Sequence, residues 1–224
     1  ADHNDLADHI RASQLELEKR SQGLSLTSSG DWINEAAGRL GRFDLVLRSG
    51  QLTLESAAAA ADAAPDGPET AGGFSKALFS GFVQQSLGGK LGAYSQITLQ
   101  AADKNLDSSE KFSVGGPSSM PGYASGEASG DSGAQFKVGL RWLAFDNASL
   151  SAYYDYAKLK ILQNPLASAT SSNERVLSNI GVGADWSMGK GLVLSTMIAW
   201  PGKPTNNASD DNKPRGWISL ASTW

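Results

Sequence analysis

The chain has 224 residues, with 19 Lys+Arg against 23 Asp+Glu, no cysteine, 25 glycines and 40% hydrophobic residues. No apolar run reaches the ~18 residues that a transmembrane helix needs, and zero cysteine excludes a disulfide scaffold, a Cys-ligated zinc and a Cys nucleophile. The net charge of −4, without a basic cluster, speaks against a nucleic-acid partner, and both histidines, His3 and His9, sit in the first ten residues, away from any catalytic box.

The dominant hydrophobic period is two, the period of a strand with one apolar and one polar face. Taken along the chain, it predicts strands at 12–27, 39–55, 74–87, 91–103, 134–145, 148–162, 175–188, 191–200 and 215–224. Leu15/Leu17 mark the first. Phe43/Leu45/Leu47, Ala77/Phe79/Gly81/Val83 and Leu91/Ala93/Ser95/Ile97/Leu99 follow. Phe136/Val138/Leu140/Trp142, Leu150/Ala152/Tyr154/Tyr156 and Ile180/Val182/Ala184/Trp186 alternate most cleanly. Leu194/Thr196/Ile198/Trp200 and Ile218/Leu220/Ser222/Trp224 close the series.

The connections differ sharply in length. Gly88-Gly89-Lys90, Asp146-Asn147 and Gly189-Lys190-Gly191 are tight hairpin turns. Residues 57–73, 104–133, 163–174 and 201–214 are long loops rich in Gly, Pro, Asn, Asp and Ser. Short turns at one end and long loops at the other characterise outer-membrane barrels. Lipid leaves no backbone group unpaired, so a sheet that spans it must be antiparallel and closed. A soluble sandwich also alternates, but it does not call for such long strands. Nor does it call for aromatics such as Trp142, Phe145, Tyr154, Tyr156, Trp186, Trp200 and Trp224 near strand ends or on outward faces. The expected fold is all-β: an antiparallel transmembrane β-barrel, of which this chain supplies about nine strands. Nine is odd, so the piece by itself is expected to form an open, curved sheet with two free edges.

The most informative segment is the loop at 104–133. It reads Asn105-Leu106-Asp107-Ser108-Ser109-Glu110-Lys111-Phe112-Ser113-Val114-Gly115-Gly116-Pro117, then Ser118-Ser119-Met120-Pro121-Gly122-Tyr123-Ala124-Ser125-Gly126-Glu127-Ala128-Ser129-Gly130-Asp131. This run resembles the sixth extracellular loop of two-partner-secretion transporters, the haemolysin secretion/activation (ShlB/FhaC/HecB) family, without a gap. The resemblance implies a 16-stranded barrel preceded by periplasmic POTRA domains. Residues 1–224 would then be its C-terminal part, roughly strands 8 to 16. It implies secretion of a large exoprotein of adhesin or haemolysin type, without ATP and without a cofactor. It places the protein in the bacterial outer membrane, with extracellular loops and a periplasmic C-terminus. Lipid, the secreted partner and the barrel assembly machinery would be its contacts. The C-terminal strand ending on Leu220 and Trp224 is similar to the signal that this machinery reads.

The resemblance also implies that the loop folds into the barrel. Its marks are the tip Met120, Pro121, Gly122 and Tyr123 and the flanks Gly115, Gly116, Pro117, Gly126, Glu127, Gly130 and Asp131. In the family the tip carries an Arg that pairs with an acidic residue on the strand after next. Here Pro121 stands at the Arg position, while Asp155 matches the acidic one. Arg141 or Lys137 on the neighbouring strand is the substitute cation, and Arg141 is the expected partner, with Tyr123 and backbone contacts holding the tip. The inward set is Lys137, Gly139 and Arg141, then Ser151, Tyr153 and Asp155, then Asn179, Gly181, Gly183 and Asp185. Two other readings weigh less. A passive pore would show the same alternation. Gly130-Asp131-Ser132-Gly133 spells a serine-protease nucleophile, but a nucleophilic serine needs a base within reach, and only His3 or His9 could supply one. The sequons at Asn147 and Asn207 are turn sequence, and no metal-ligand spacing appears.

Overall fold

The computed structural model describes residues 19–166, 172–202 and 213–222. Nine strands form one antiparallel sheet: β1 (Lys19–Asn34), β2 (Arg39–Leu54), β3 (Gly72–Gly88), β4 (Leu91–Ala102), β7 (Ser132–Phe145), β8 (Ala148–Lys160), β9 (Glu174–Gly189), β10 (Leu192–Pro201) and β11 (Arg215–Ser222). Between β4 and β7 lies a separate two-stranded hairpin, β5 (Phe112–Val114) and β6 (Ala128–Gly130). The strands of the large sheet follow one another in chain order, β7 pairing with β4 across the inserted hairpin, and among the described residues β1 and β11 have one partner each. Among the described residues the sheet is open, with β1 and β11 at its two edges.

The first predicted strand is corrected. Its residues 12–18 lie outside the described residues, and β1 runs seven positions beyond 27, to Asn34. The polar run from Thr27 to Asp31 hides the alternation. Pairing recovers it, because Ser28 to Asn34 lie opposite Arg39 to Leu45. The turn between them is closed by Gly38, whose φ of 59° suits a residue without Cβ. Residues 57–73 are not all loop either. The alanine run forms a short helix, α1 (Ser56–Asp62), as expected of the best helix former.

The two faces of the sheet differ in what covers them. Leu24, Leu26, Phe43, Leu47, Phe136, Leu140, Leu150, Ile180, Ile198, Ile218 and Leu220 are all exposed, and they share one continuous face. Trp32, Trp142, Phe145 and Trp186 stand on this face near the tight-turn ends, Tyr156 and Trp200 near the other. A water-soluble sandwich would lay a second sheet over such a surface, and among the described residues none does. Exposed apolar area on this scale calls for lipid. The packed interior lies on the opposite face, between sheet and loop. There Phe112, Val114, Met120, Tyr123 and Ala128 of the loop close over Ala157, Leu159 and Leu177 of β8 and β9.

Candidate functional site

The loop from 103 to 131 is built in three parts. Its base is ionic. Leu106 is buried with Phe74 and Ala102. Beside it the Asn105 amide donates to the carbonyls of Pro68 (2.7 Å) and Asn164 (3.0 Å) and accepts from the Asn164 N–H (2.7 Å). Glu110 takes Arg48 of β2 on one oxygen (3.0 Å) and Lys76 of β3 on the other (2.9 Å). Asp131 is fully buried and fully occupied. One oxygen receives the Lys111 ammonium and the Leu106 N–H (3.1 Å), and the other receives the Gln163 N–H (2.7 Å). Charge-assisted bonds of this kind are the strong ones. Ser132 is spoken for as well: its hydroxyl takes the Ala102 N–H (3.1 Å) and lies 3.1 Å from the Gln163 amide oxygen. Gly130 to Gly133 thus serve the loop base.

The middle part is the β5–β6 hairpin, whose strand pairing sets Phe112 opposite Gly130 and Val114 opposite Ala128. At Gly130 a Cβ would strike the Lys160 carbonyl, so only glycine lets the hairpin lie on β8. Gly115 and Gly116 then turn the chain with φ of 119° and 82°, and Gly126 returns it with φ of 70°.

The tip, between those glycines, is held by neutral contacts. The Tyr123 hydroxyl donates to the Ser178 carbonyl (2.9 Å), and the Trp217 indole N–H of β11 donates to the Pro121 carbonyl (2.8 Å). Ser119 and Gln135 exchange two hydrogen bonds, of 2.8 and 3.0 Å. Met120 and Pro121 are fully buried. Gly122 lies on the wall itself, since a Cβ there would come within 2.8 Å of the Asn179 Cβ. Pro117 is exposed on the way to the tip, and Glu127 closes the return turn through its N–H to the Ala124 carbonyl (3.2 Å).

Under the tip, Asp155 is fully buried, and its cation is Lys137 at 3.4 Å. This corrects the expected Arg141 pairing: Arg141 binds Asp185 at 3.1 Å instead. Strand register explains the difference. Lys137 lies directly opposite Asp155, whereas Arg141 is opposite Ser151, four residues or about 13 Å further along the strand. Asn179, opposite Asp155 on the other side, donates to its second oxygen (2.8 Å). The Lys137 ammonium also sits 4.9 Å from the Tyr153 ring centre, within cation–π range. Leu220 is on the exposed outer face of β11, and Trp224 lies outside the described residues. Sequence reasoning did not single out Trp217, Glu110, Lys111 or Asn105. The last three stand inside the quoted loop motif, while Trp217 carried only its position on the inward face of β11.

Two further carboxylates act nearby, Asp62 at the end of α1 and Asp107 in the base of the 103–131 loop itself. Burial works against the charge of Asp62, but the Thr70 hydroxyl, the N–H groups of Ala71 and Thr70, and Lys104 together hold its carboxyl below the usual range. Burial likewise opposes Asp107, and Ser109 and Lys19 pull it down. A carboxyl depressed by folding stabilises the fold above its unfolded value of about 4, and that stability is lost as pH falls through the lower, folded value. Amide protection of Thr70, Ala71 and Ser109, whose N–H groups bind these carboxylates, is expected to hold at pH 5, to begin to fall below about pH 4 and to be lost once pH passes the depressed folded value. Hydrogen exchange corrected for intrinsic rates measures it.

Comparison with known proteins points one way. Residues 42–177 match the model of the family described as haemolysin secretion/activation protein ShlB/FhaC/HecB. Two sequences called heme/hemopexin transporter protein HuxB, from Haemophilus influenzae strains 86-028NP and KW20 / Rd, are 32% and 30% identical over 133 residues. The match covers 57% of this chain and 23% of each relative, so the chain spans about a quarter of their length. Among solved structures, CdiB from Escherichia coli superposes with a TM-score of 0.62 at 18% identity, over 92% of this chain and 36% of that one. That likeness concerns the fold.

Proposed function

Because the chain belongs to the haemolysin secretion/activation (ShlB/FhaC/HecB) family, we propose that it is the wall and inner loop of an outer-membrane transporter that secretes an exoprotein in two-partner secretion. The long loops face outward from the cell and the tight turns face the periplasm. The partner is an exoprotein of the TpsA type, exported without ATP. The outer face meets lipid, and the last strand, with Leu220 and Trp224, is presented to the barrel assembly machinery. One observation carries this reading. The 103–131 loop lies on the polar face of the sheet and closes its own packed core against it, with the motif residues in structural roles. The same loop lies within residues 42–177, the stretch that matches the transporter family.

The inner face suits an extended chain in passage. It presents Lys137, Arg141, Asp185, Gln96, Ser151 and Tyr153 around a small polar cavity of about 240 Å³. Its two ion pairs are already internally matched, so it offers wet, weakly adhesive contacts rather than a fixed pocket. The test is secretion of the exoprotein by cells whose transporter lacks residues 112–130. Loss of secretion with normal insertion of the barrel is the expected result. Undiminished secretion would assign the loop to the wall alone and favour the pore.

A further inference from the structure

Two tyrosines of the inner wall are folded down onto glycines of the neighbouring strand. We propose that these pairs, Tyr94 with Gly139 and Tyr153 with Gly181, set the width of the bore and keep it clear for an extended chain. What passes is the exoprotein of the transporter reading, on which this purpose rests, while the wall geometry stands without it. The residues form one row across the sheet. Gln84, Tyr94, Gly139, Tyr153 and Gly181 lie directly opposite one another on β3, β4, β7, β8 and β9. They stand in step with Lys137, Asp155 and Asn179, on the face that carries the loop. Both rings lean the same way, each onto the next strand. A Cβ on Gly139 would come within 2.7 Å of Tyr94 Cε1, and one on Gly181 within 2.7 Å of Tyr153 Cε2, with the Cζ and hydroxyl of each ring nearer still. Each ring end therefore fills the space that any other side chain would need.

Glycine weakens a strand interior, because it brings backbone entropy and no side chain to pack. Here it yields room, and an aromatic ring covers the gap, a known way to make good a glycine in a sheet. The fit itself holds the Tyr153 ring. Its hydroxyl is buried with no hydrogen-bond partner, and the Lys137 ammonium lies against the ring, 4.9 Å from its centre. The alternative positions on the wall are taken. Gln84 is opposite Tyr94 on its other side, and Lys137 and Arg141 flank Gly139 along β7. With a side chain at 139 the Tyr94 ring turns into the lumen, over the polar cavity that both tyrosines line with Gln96, Lys137 and Arg141. Passage through a pore depends on its diameter at such points. Glycine at 139 and 181 thus acts on the bore through the tyrosine above it.

The wild-type rings can be read directly. In the NMR spectrum of the full-length protein, the α protons of Gly139 and Gly181 are expected upfield of other strand glycines. Tyr94→Leu should return the first and Tyr153→Leu the second. Unshifted protons in the wild-type protein would overturn the geometry, whether or not any variant folds. The second measurement is conductance across a planar bilayer, beside secretion from cells. Gly139→Val in an inserted barrel is expected to lower both, and adding Tyr94→Ala to restore both. Unchanged conductance would overturn the role in the bore. A loss that Tyr94→Ala does not relieve would overturn it as well, and would assign Gly139 to strand pairing alone. Conductance that falls and recovers while secretion never changes would support the bore and count against the transporter reading.

Discussion

Replacing Asp131 by Ala is expected to destabilise the protein by about 3–5 kcal/mol, the cost of removing one partner from a buried ion pair. The carboxylate is wholly buried and receives Lys111, the Leu106 N–H and the Gln163 N–H. Alanine would leave an ammonium without its counter-charge and two backbone donors without acceptors. Asp131→Asn keeps the shape and one acceptor oxygen, so it should cost visibly less. Urea unfolding in lipid vesicles, followed by tryptophan fluorescence, gives the ranking. A loss below about 1 kcal/mol for the alanine variant would mean that the base is held elsewhere.

Lys137→Met should cost about 3 kcal/mol, because Asp155 stays fully buried with Asn179 as its one remaining side-chain donor. Adding Asp155→Asn removes the stranded charge and should return much of the loss. Arg141→Met is the contrast. Its pair with Asp185 is far more exposed, with side chains at 47% and 36% against 15% and 0% for Lys137 and Asp155. Exposed pairs are worth about 0–1 kcal/mol. Equal effects of the two substitutions would contradict the assignment of Lys137 as the partner of Asp155.

Much of this was legible before any coordinates. The strands of the large sheet from Arg39 onward end within two residues of their expected limits wherever both ends are described, because Gly and Asn/Asp turns and period-two alternation mark the same boundaries, whereas the short β5 and β6, inside what reads as loop 104–133, carry no such alternation. The residues expected to point inward all share the face that carries the loop, for the same reason: one residue in phase fixes all the others. Partner choice needs more. Lys137 and Arg141 share a face of one strand, and only the register between β7 and β8 decides which of them meets Asp155. Register follows from turn details, including the shift between Leu143 and Phe145, that composition does not show. Trp217 was beyond reach for another reason. It meets Pro121 across 96 residues of chain, and no local pattern encodes that meeting.

That distance has a consequence for the order of events as the chain folds. The loop joins the two ends of the sheet. Glu110 reaches back to Arg48 and Lys76, Asn105 reaches Asn164 at a separation of 59, and Pro121 reaches Trp217. Contacts of such high sequence separation form only after the entropy of closing long segments has been overcome. The loop therefore has no complete seat until β11 is in place. Its docking belongs at the end of folding, as the step that registers a finished wall.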